Sequence, residues 1–354
     1  MITGLLVIGL FFFATILAFL ERYMGEFRKP AYFFLGAMLI LVAGLREIGI
    51  DPDSANYEYN FLYYDSASSV NDSVEFSFLW FSAILNVFTD DVHVLFLLYA
   101  FLGLVFKFIA FRQLNDLWFL SVVTYISYYF IAHEMMQIRT GVMSGLFLMA
   151  IYQQVQGKKI TAMLLILFGA FFHYSAIALL PLLLLSSDYM TKKARIIWAL
   201  AIPLSYVIYF LGIEVFMSLD IPYIGNKLST YQKGTEKGIV DAYVNVFRPL
   251  HLFSIALIAY ILYFYDIIFK YNKNISLMLK IAIIGVCAYE TLAFLPVLAQ
   301  RINQLFLVVT IPLYVSIYYT LRPKWAALLF VTLISFVYLN YALPLISFHL
   351  LWKG

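Results

Sequence analysis

Long apolar runs recur along this sequence, and they constrain its fold more than any other feature. The clear runs cover 2–20, 93–111, 136–155, 196–217, 249–269, 275–298, 303–321 and 325–349, and shorter ones cover 31–45 and 118–132. About 20 apolar residues in a helix cross the hydrocarbon core of a bilayer. Only 12% of the 354 residues are charged, too few to cover a water-facing surface. We therefore predict an all-α, polytopic integral membrane protein.

Two further apolar stretches, 76–88 and 161–185, do not fit a simple crossing, because the first is short and the second is interrupted at His173. Basic residues favour the cytoplasmic side of a membrane. The basic clusters are Arg22/Arg28/Lys29, Lys107/Arg112, Lys158/Lys159, Lys192/Lys193/Arg195, Lys270/Lys273 and Arg322/Lys324. All of them fall on one side if neither stretch makes a net crossing. We predict a single transmembrane domain over 1–354, with about 10 transmembrane helices plus two re-entrant or short segments. Twelve spans are the rival arrangement.

Two predicted extracytoplasmic loops, about 46–75 and 218–247, are long enough to bind a ligand. The first is strongly acidic and contains four tyrosines, Tyr57, Tyr59, Tyr63 and Tyr64. Carboxylates and tyrosines suit sugar binding, although a packed loop would have the same composition. The same loop spells Asp51-Pro52-Asp53, for which a solvated loop or a hydrogen-bonded turn is favoured over a metal site. The sequence contains no GxxxxGK[ST], HExxH or CxxC motif, so ATP-driven transport and those metal and redox classes are not indicated.

Four arginines lie at predicted span ends near the outer face: Arg46, Arg139, Arg248 and Arg301. For a single arginine, snorkelling or a structural ion pair is an equally good explanation. Several at one face favour a functional site, because a guanidinium near lipid is costly unless it is paired or hydrated. The planar fork of arginine binds phosphate in a bidentate manner. We therefore infer a site for the diphosphate head group of a membrane lipid.

Ionisable residues also lie inside predicted apolar runs, among them His173, Lys280 and Glu290. If 161–185 returns to the side it came from, His173 lies at its tip near the membrane midplane, as a general base or a hydrogen-bond donor. A buried histidine bonded to a neighbouring helix is the alternative. Glu290 shares a predicted span with Lys280, and a structural role and a cavity-lining role both stay open. His133 and Glu134 fall in a predicted loop and are ambiguous.

Four sequence elements, in order across about 46–303, resemble the signatures of EpsG/Wzy-type polysaccharide polymerases. They are Arg46-Glu-Ile-Gly49-Ile-Asp51 followed by Tyr57 and Phe61, Gln137-Ile-Arg139, Phe172-His173-Tyr174-Ser175, and Arg301 with Asn303. The chain departs from the first signature at Ile50, where the family often has threonine, and at Pro52. These departures concern the conformation of the loop.

The resemblance implies a GT-C-like membrane glycosyltransferase in the bacterial inner (cytoplasmic) membrane, with its active site facing the periplasm or exterior. Such enzymes polymerise O-antigen or exopolysaccharide repeat units carried on undecaprenyl diphosphate, without a cofactor. The implied partners are these lipid-linked glycans, the bilayer, a chain-length regulator and a flippase, with no nucleic acid. A flippase or exporter of lipid-linked oligosaccharide and an extracytoplasmic O-acyltransferase are the alternative functions.

Under this resemblance, the reaction is expected to be an inverting, metal-independent glycosyl transfer. Arg139, Arg301 and Arg46 would stabilise the departing diphosphate. The base would be Asp51, Glu75 or His173, and Asp51 ranks first because it shares a motif with Arg46. His173 could equally donate to phosphate. The expected substrate-binding residues are Arg46, Tyr57, Glu75, Gln137, Tyr174 and Arg248.

Overall fold

The computed structural model describes residues 2–64, 75–211 and 244–348, and the regular structure in these residues is helical, which confirms the all-α class. The α-helices are α1 (Ile2–Leu20), α2 (Arg28–Gly44), α3 (Ser54–Leu62), α4 (Phe76–Leu85), α5 (His93–Leu114), α6 (Trp118–Ile126), α7 (Ile138–Val155), α8 (Lys159–Phe172), α9 (Lys192–Leu211), α10 (Pro249–Tyr263), α11 (Tyr265–Tyr271), α12 (Ile275–Thr291), α13 (Pro296–Leu307), α14 (Thr310–Val315) and α15 (Lys324–Ala342). The 3₁₀ segments are Glu21–Tyr23, Gly25–Phe27, Tyr174–Leu184, Ser316–Tyr319 and Leu343–Ile346, and Phe130–Met136 is a π-helix.

Several of these helices are long and apolar enough to cross a bilayer. Five qualify among the described residues: Ile2–Tyr23, Gly25–Gly44, His93–Leu114, Lys192–Leu211 and Lys324–Ile346. Two bent helix pairs, Pro249–Tyr263 with Tyr265–Tyr271 (76°) and Pro296–Leu307 with Thr310–Tyr319 (48°), raise the number to seven if each pair is one span. The protein is therefore a multi-pass membrane protein. The prediction of about ten spans, and its rival of twelve, stay predictions.

Proline moves two of the predicted helix boundaries. The run 275–298 is not one helix, because α12 ends at Thr291 and Pro296 begins α13. Proline lacks a backbone N–H and clashes with the preceding turn, so it starts a helix readily but does not continue one. The next predicted span therefore begins at Pro296 rather than at residue 303.

Two other predicted spans are broken. The run 118–132 contains α6 only as far as Ile126, and the π-helix Phe130–Met136 follows it. The run 249–269 is divided between α10 and α11 at Phe264. Length and hydropathy alone do not reveal breaks of this kind.

The chain packs as two compact units, and each is described here by itself. Unit 1 comprises residues Met1–Leu185 and Tyr314–Gly354, and unit 2 comprises Ser186–Leu313. Within unit 1, α5 and α7 approach closely: a Cβ added at Gly145 would lie 2.9 Å from Cβ of Phe106. Small residues permit this kind of close helix contact in membrane proteins. The single transmembrane domain stays a prediction.

The segment 159–185 in unit 1 leaves one end of α7 and returns to it. Gly157, at a φ of +77°, makes the tight turn from α7 into α8. His173 ends α8, and the 3₁₀ helix that follows runs back, because the Gln154 amide donates to the carbonyl oxygens of Leu182 (3.0 Å) and Leu185 (2.9 Å). The two limbs have similar lengths, about 21 and 22 Å at standard rises. This geometry supports the predicted re-entrant segment.

Candidate functional site

Glu75 lies between a guanidinium and an imidazole in unit 1. Its carboxylate forms an ion pair through Oε2 with Nη1 of Arg139, and its Oε1 lies 3.5 Å from Nε2 of His173. Glu75 immediately precedes α4, Arg139 lies in the first turn of α7, and His173 joins the two limbs of the 159–185 segment. The Glu75 side chain is 9% exposed, whereas those of Arg139 and His173 are 20% and 22% exposed. The cluster can therefore be approached from the sides of the arginine and the histidine.

The hydrogen bonds of His173 define its protonation pattern. The backbone N–H of Ser175 donates to its Nδ1 (3.2 Å), and the Ser175 hydroxyl lies 2.8 Å from the same nitrogen. Because Nδ1 accepts a hydrogen bond, the proton of a neutral imidazole is on Nε2, the nitrogen that faces Glu75. His173 is thus arranged to donate a hydrogen bond at this position rather than to remove a proton.

Aromatic rings surround the Arg139 guanidinium. Its Cζ lies 5.7 Å from the centre of the Tyr57 ring and 5.9 Å from that of Phe78, and these two rings stack on each other. Nε of Arg139 is buried and has no hydrogen-bond partner among the described residues. Burial raises the pKa of the Tyr57 hydroxyl, and the positive charge of Arg139 opposes this shift. Tyr57 therefore stays neutral near pH 7, and its hydroxyl can share a hydrogen bond with Arg139.

Arg46 and Asp51 form a buried pair, with Arg46 Nε 3.2 Å from Asp51 Oδ2 and neither side chain exposed. Arg46 also donates to the Ala43 carbonyl (2.7 Å). The other oxygen of Asp51 accepts the backbone N–H groups of Asp53 (3.0 Å) and Ser54 (2.9 Å) at the start of α3. These are the contacts of a hydrogen-bonded turn. Because both oxygens of Asp51 are occupied and enclosed, the geometry does not favour Asp51 as the base.

A second buried ion pair anchors the start of α7, which carries Arg139. Lys107 Nζ lies 2.5 Å from Glu134 Oε1 and donates to the Gly141 carbonyl at 2.5 Å. The Tyr125 hydroxyl also donates to Glu134 Oε1 (2.8 Å). Glu134 belongs to the π-helix, a distortion that is frequent at functional sites. Lys107 thus connects the residues before and after Arg139.

This pair changes the interpretation of Lys107 and corrects the loop prediction for His133 and Glu134. Lys107 was grouped with Arg112 as cytoplasmic; its side chain is fully buried, and the side of the membrane on which it lies stays a prediction. Glu134 and His133 are buried helical residues and do not lie in a loop. A lysine inside the apolar run 93–111 was the available signal, because a charge within a membrane span needs a partner.

Unit 2 contains a buried carboxylate of its own. Glu290 of α12 is fully buried, and its oxygens bind Nε2 of His251 (3.1 Å) and the Ser205 hydroxyl. No motif or spacing singles out His251 in the sequence. Lys280, in contrast, donates to the Ser186 carbonyl (2.6 Å). Glu290 therefore holds α9 and α10 against α12, which agrees with the structural role that the sequence left open.

The remaining predicted site residues are more exposed. Tyr174 is 57% exposed beside His173, and Tyr59 and Tyr63 are 55% and 50% exposed with their rings 4.9 Å apart. Gln137 directly precedes α7. The remaining parts of the two predicted loops, 65–74 and 218–243, lie outside the described residues.

Unit 2 also carries the two late arginines. Arg301 lies exposed on α13, and Arg248 directly precedes α10. Thus Glu75, Arg139, His173 and Tyr57 meet in unit 1, and Arg46 with Asp51 forms a separate pair in that unit. In the described part of the chain, no group of three or more His, Cys, Asp or Glu side chains converges in the manner of metal ligands.

These observations define the class: a helical, multi-pass membrane protein with a carboxylate held between arginine and histidine. The chain belongs to the EpsG family, whose match covers residues 29–353. It is therefore a membrane protein of exopolysaccharide biosynthesis, which confirms the resemblance found in the sequence. Comparisons with curated proteins and with solved structures gave no match.

Proposed function

We propose that this chain is a glycosyltransferase that polymerises undecaprenyl-diphosphate-linked oligosaccharide repeat units at the extracytoplasmic face of the inner membrane. Membership of the EpsG family supports the pathway. The contact of Glu75 with both Arg139 and His173 is the observation that carries the proposal for the reaction. A cation, a carboxylate and an imidazole donor together suit transfer of a sugar from a phosphate leaving group.

The Arg139–Glu75 ion pair is proposed to be the resting state of the site. A diphosphate that binds the Arg139 guanidinium would compete with Glu75 for it, because both are anions that prefer the same planar fork. Binding of the donor would then release the Glu75 carboxylate from its partner. The base would become available only when the leaving group is in place.

In the transfer step, Glu75 accepts the proton of the acceptor hydroxyl. At the same time, the oxygen of that hydroxyl bonds to the anomeric carbon of the donor sugar. The bond from that carbon to the diphosphate oxygen breaks, and the electron pair leaves with undecaprenyl diphosphate. Arg139 stabilises the negative charge that develops on the diphosphate, and the Nε2–H of His173 donates a hydrogen bond to it. This is a single displacement with inversion.

The other candidates take supporting roles in this proposal. Arg46 and Asp51 hold the turn that leads into α3, and Tyr57 on that helix packs against Arg139. Tyr174, beside His173, offers an exposed ring for stacking on a sugar. Gln137 and, from unit 2, Arg248 and Arg301 remain proposed contacts to the substrate.

Reconstitution tests the proposal. Purified protein in nanodiscs should convert a fluorescent, lipid-diphosphate-linked repeat unit into a ladder of longer products on a gel. Arg139→Lys keeps the charge but not the bidentate fork, so we expect the ladder to weaken by about 10²-fold or more. The matched control is Lys159→Arg, the reverse exchange at an exposed position elsewhere in unit 1. Normal polymerisation by Arg139→Lys would contradict the phosphate-binding role.

The same assay separates the alternatives. A flippase would not lengthen the labelled lipid, and in sealed vesicles it would move that lipid from one leaflet to the other. An O-acyltransferase would modify the lipid only when an acyl donor is added. We expect EDTA to leave the ladder unchanged, because Arg139 supplies the positive charge that a metal would otherwise supply. Loss of the ladder with EDTA, restored by magnesium or manganese, would contradict a metal-independent reaction.

A further inference from the structure

Two guanidinium groups lie over one aromatic ring in unit 1. Cζ of Arg28 is 3.7 Å from the centre of the Trp118 ring, and Cζ of Arg112 is 4.7 Å from it. Arg28 also donates to Glu21 Oε1 from Nε (3.0 Å) and Nη2 (2.6 Å), and the Trp118 backbone N–H donates to the same oxygen (2.8 Å). Arg28 thus has a buried counter-ion in Glu21, whereas Arg112 is exposed.

A second ring in the same unit carries two more cations. Arg22 follows Glu21 in the chain, and its Cζ lies 5.3 Å from the centre of the Tyr318 ring. Nζ of Lys324 lies 4.7 Å from the same ring centre. Arg322 is exposed two residues before Lys324. We call the five cations Arg22, Arg28, Arg112, Arg322 and Lys324 the basic cluster.

The basic cluster has more positive charge than its neighbours compensate. Among the described residues, no carboxylate oxygen lies within 4 Å of a side-chain nitrogen of Arg22, Arg112, Arg322 or Lys324. Like charges that are held close together repel, and the two rings hold Arg112 near Arg28 and Arg22 near Lys324. An anion with phosphate-type oxygens would relieve this repulsion.

The residues next to the basic cluster indicate where that anion comes from. Exposed aromatic side chains adjoin its members in the sequence: Tyr23 is 86% exposed, Phe27 78% and Trp325 61%. They lie at or beside the ends of the candidate spans Ile2–Tyr23 and Lys324–Ile346. Exposed aromatic rings beside cations at span ends are typical of the membrane interface, where phospholipid head groups lie.

We propose that the basic cluster binds the head group of an anionic phospholipid. The phosphate would contact the guanidinium groups of Arg22 and Arg112, and the acyl chains would pack beside the exposed rings of Tyr23 and Trp325. Basic pockets at one end of transmembrane helices are suited to such head groups. This proposal does not rest on the proposed polymerase function.

The test measures lipid retention by native mass spectrometry after release from nanodiscs that contain equal amounts of cardiolipin and phosphatidylcholine. Wild-type protein should retain cardiolipin at least about 10-fold over phosphatidylcholine. Each cation near the surface contributes about a factor of 5, so Arg22→Gln/Arg112→Gln should reduce retention by about 25-fold. Arg22→Lys/Arg112→Lys keeps the charge and should keep most of the lipid.

The matched control is Lys158→Gln/Lys159→Gln, which also removes two exposed positive charges from unit 1. It should retain cardiolipin within about 2-fold of the wild type, because each charge acts only near its own site. An equal loss in the control would show non-specific attraction and overturn the proposal. Equal retention of cardiolipin and phosphatidylcholine by the wild type would also overturn the proposal. Displacement of cardiolipin by millimolar inorganic diphosphate would assign the site to a soluble anion instead.

If the Arg22→Gln/Arg112→Gln variant does not fold, the test uses the wild-type protein and measures how salt changes the effect of cardiolipin on its Tm. Cardiolipin should then raise the Tm of the wild-type protein at low salt, and 0.5 M NaCl should remove most of that rise, because salt screens exposed charges. A cardiolipin effect that is insensitive to salt would contradict a head-group site at the basic cluster.

Discussion

Replacing Lys107 with methionine should destabilise unit 1 more than a change at an exposed lysine. The side chains of Lys107 and Glu134 are 0% and 1% exposed, so the Lys107→Met variant leaves a buried carboxylate without its counter-ion. Breaking a buried pair in this way costs about 3–5 kcal/mol. Methionine has a similar shape, so little of this cost comes from a cavity.

Thermal unfolding of a fluorescent fusion in detergent, followed by size-exclusion chromatography, measures the effect. For a unit of this size, about 3–5 kcal/mol corresponds to a fall in Tm of about 6–20 °C. Lys159→Met is the matched control, because Lys159 is exposed, and it should change stability by less than about 0.5 kcal/mol.

The double variant Lys107→Met/Glu134→Gln identifies the cause. Removal of both charges takes away the unpaired carboxylate, so the double variant should recover most of the lost Tm. The recovery would be incomplete, because the Gly141 carbonyl also loses the hydrogen bond from Lys107. A Tm for Lys107→Met within about 1 °C of the wild type would refute the reasoning, and so would a double variant as unstable as Lys107→Met.

Two further predictions concern the Arg46–Asp51 pair and the topology. Asp51→Asn should lower the yield of folded protein by leaving Arg46 buried without a counter-ion, at a cost of about 3 kcal/mol; a stable but inactive variant would instead favour Asp51 as the base. Single cysteines at 159 and 193 in a Cys287→Ala background should both resist membrane-impermeant thiol reagents in intact spheroplasts. Labelling at 193 alone would favour twelve spans.

The membrane class and many helices could be predicted because they depend on local properties of the sequence. The apolar run 2–20 forms α1 over the same residues, and the run 93–111 forms α5 with three further residues at its end. The interruption at His173 correctly marked the end of a helix. Pro296 also indicated a helix break, but the residues around it are apolar, so hydropathy alone did not predict that break.

The buried ion pairs could not be predicted in the same way, because their partners are distant in sequence. Glu75 and Phe78, at the start of α4, lie beside Arg139 in the first turn of α7, and Lys107 of α5 meets Glu134 of the π-helix. The sequence supplied Glu75, Arg139 and His173 as separate candidates. The sequence motif favoured Asp51 over Glu75 as the base. A motif shows which residues are neighbours in the chain, but it does not show which carboxylate oxygens already accept hydrogen bonds.

Glu75 is proposed to be the base of a glycosyl transfer to which Arg139 and His173 contribute. The most direct measurement is the rate constant of the first sugar addition in a single turnover, with the lipid-diphosphate donor bound in advance. Glu75→Gln keeps the shape of the side chain but cannot accept a proton, so we predict a fall of about 10²–10⁴-fold, with donor binding retained. Glu47→Gln, a change at an exposed glutamate, is the control and should react at the wild-type rate. A Glu75→Gln variant that adds the first sugar at the wild-type rate would contradict the account.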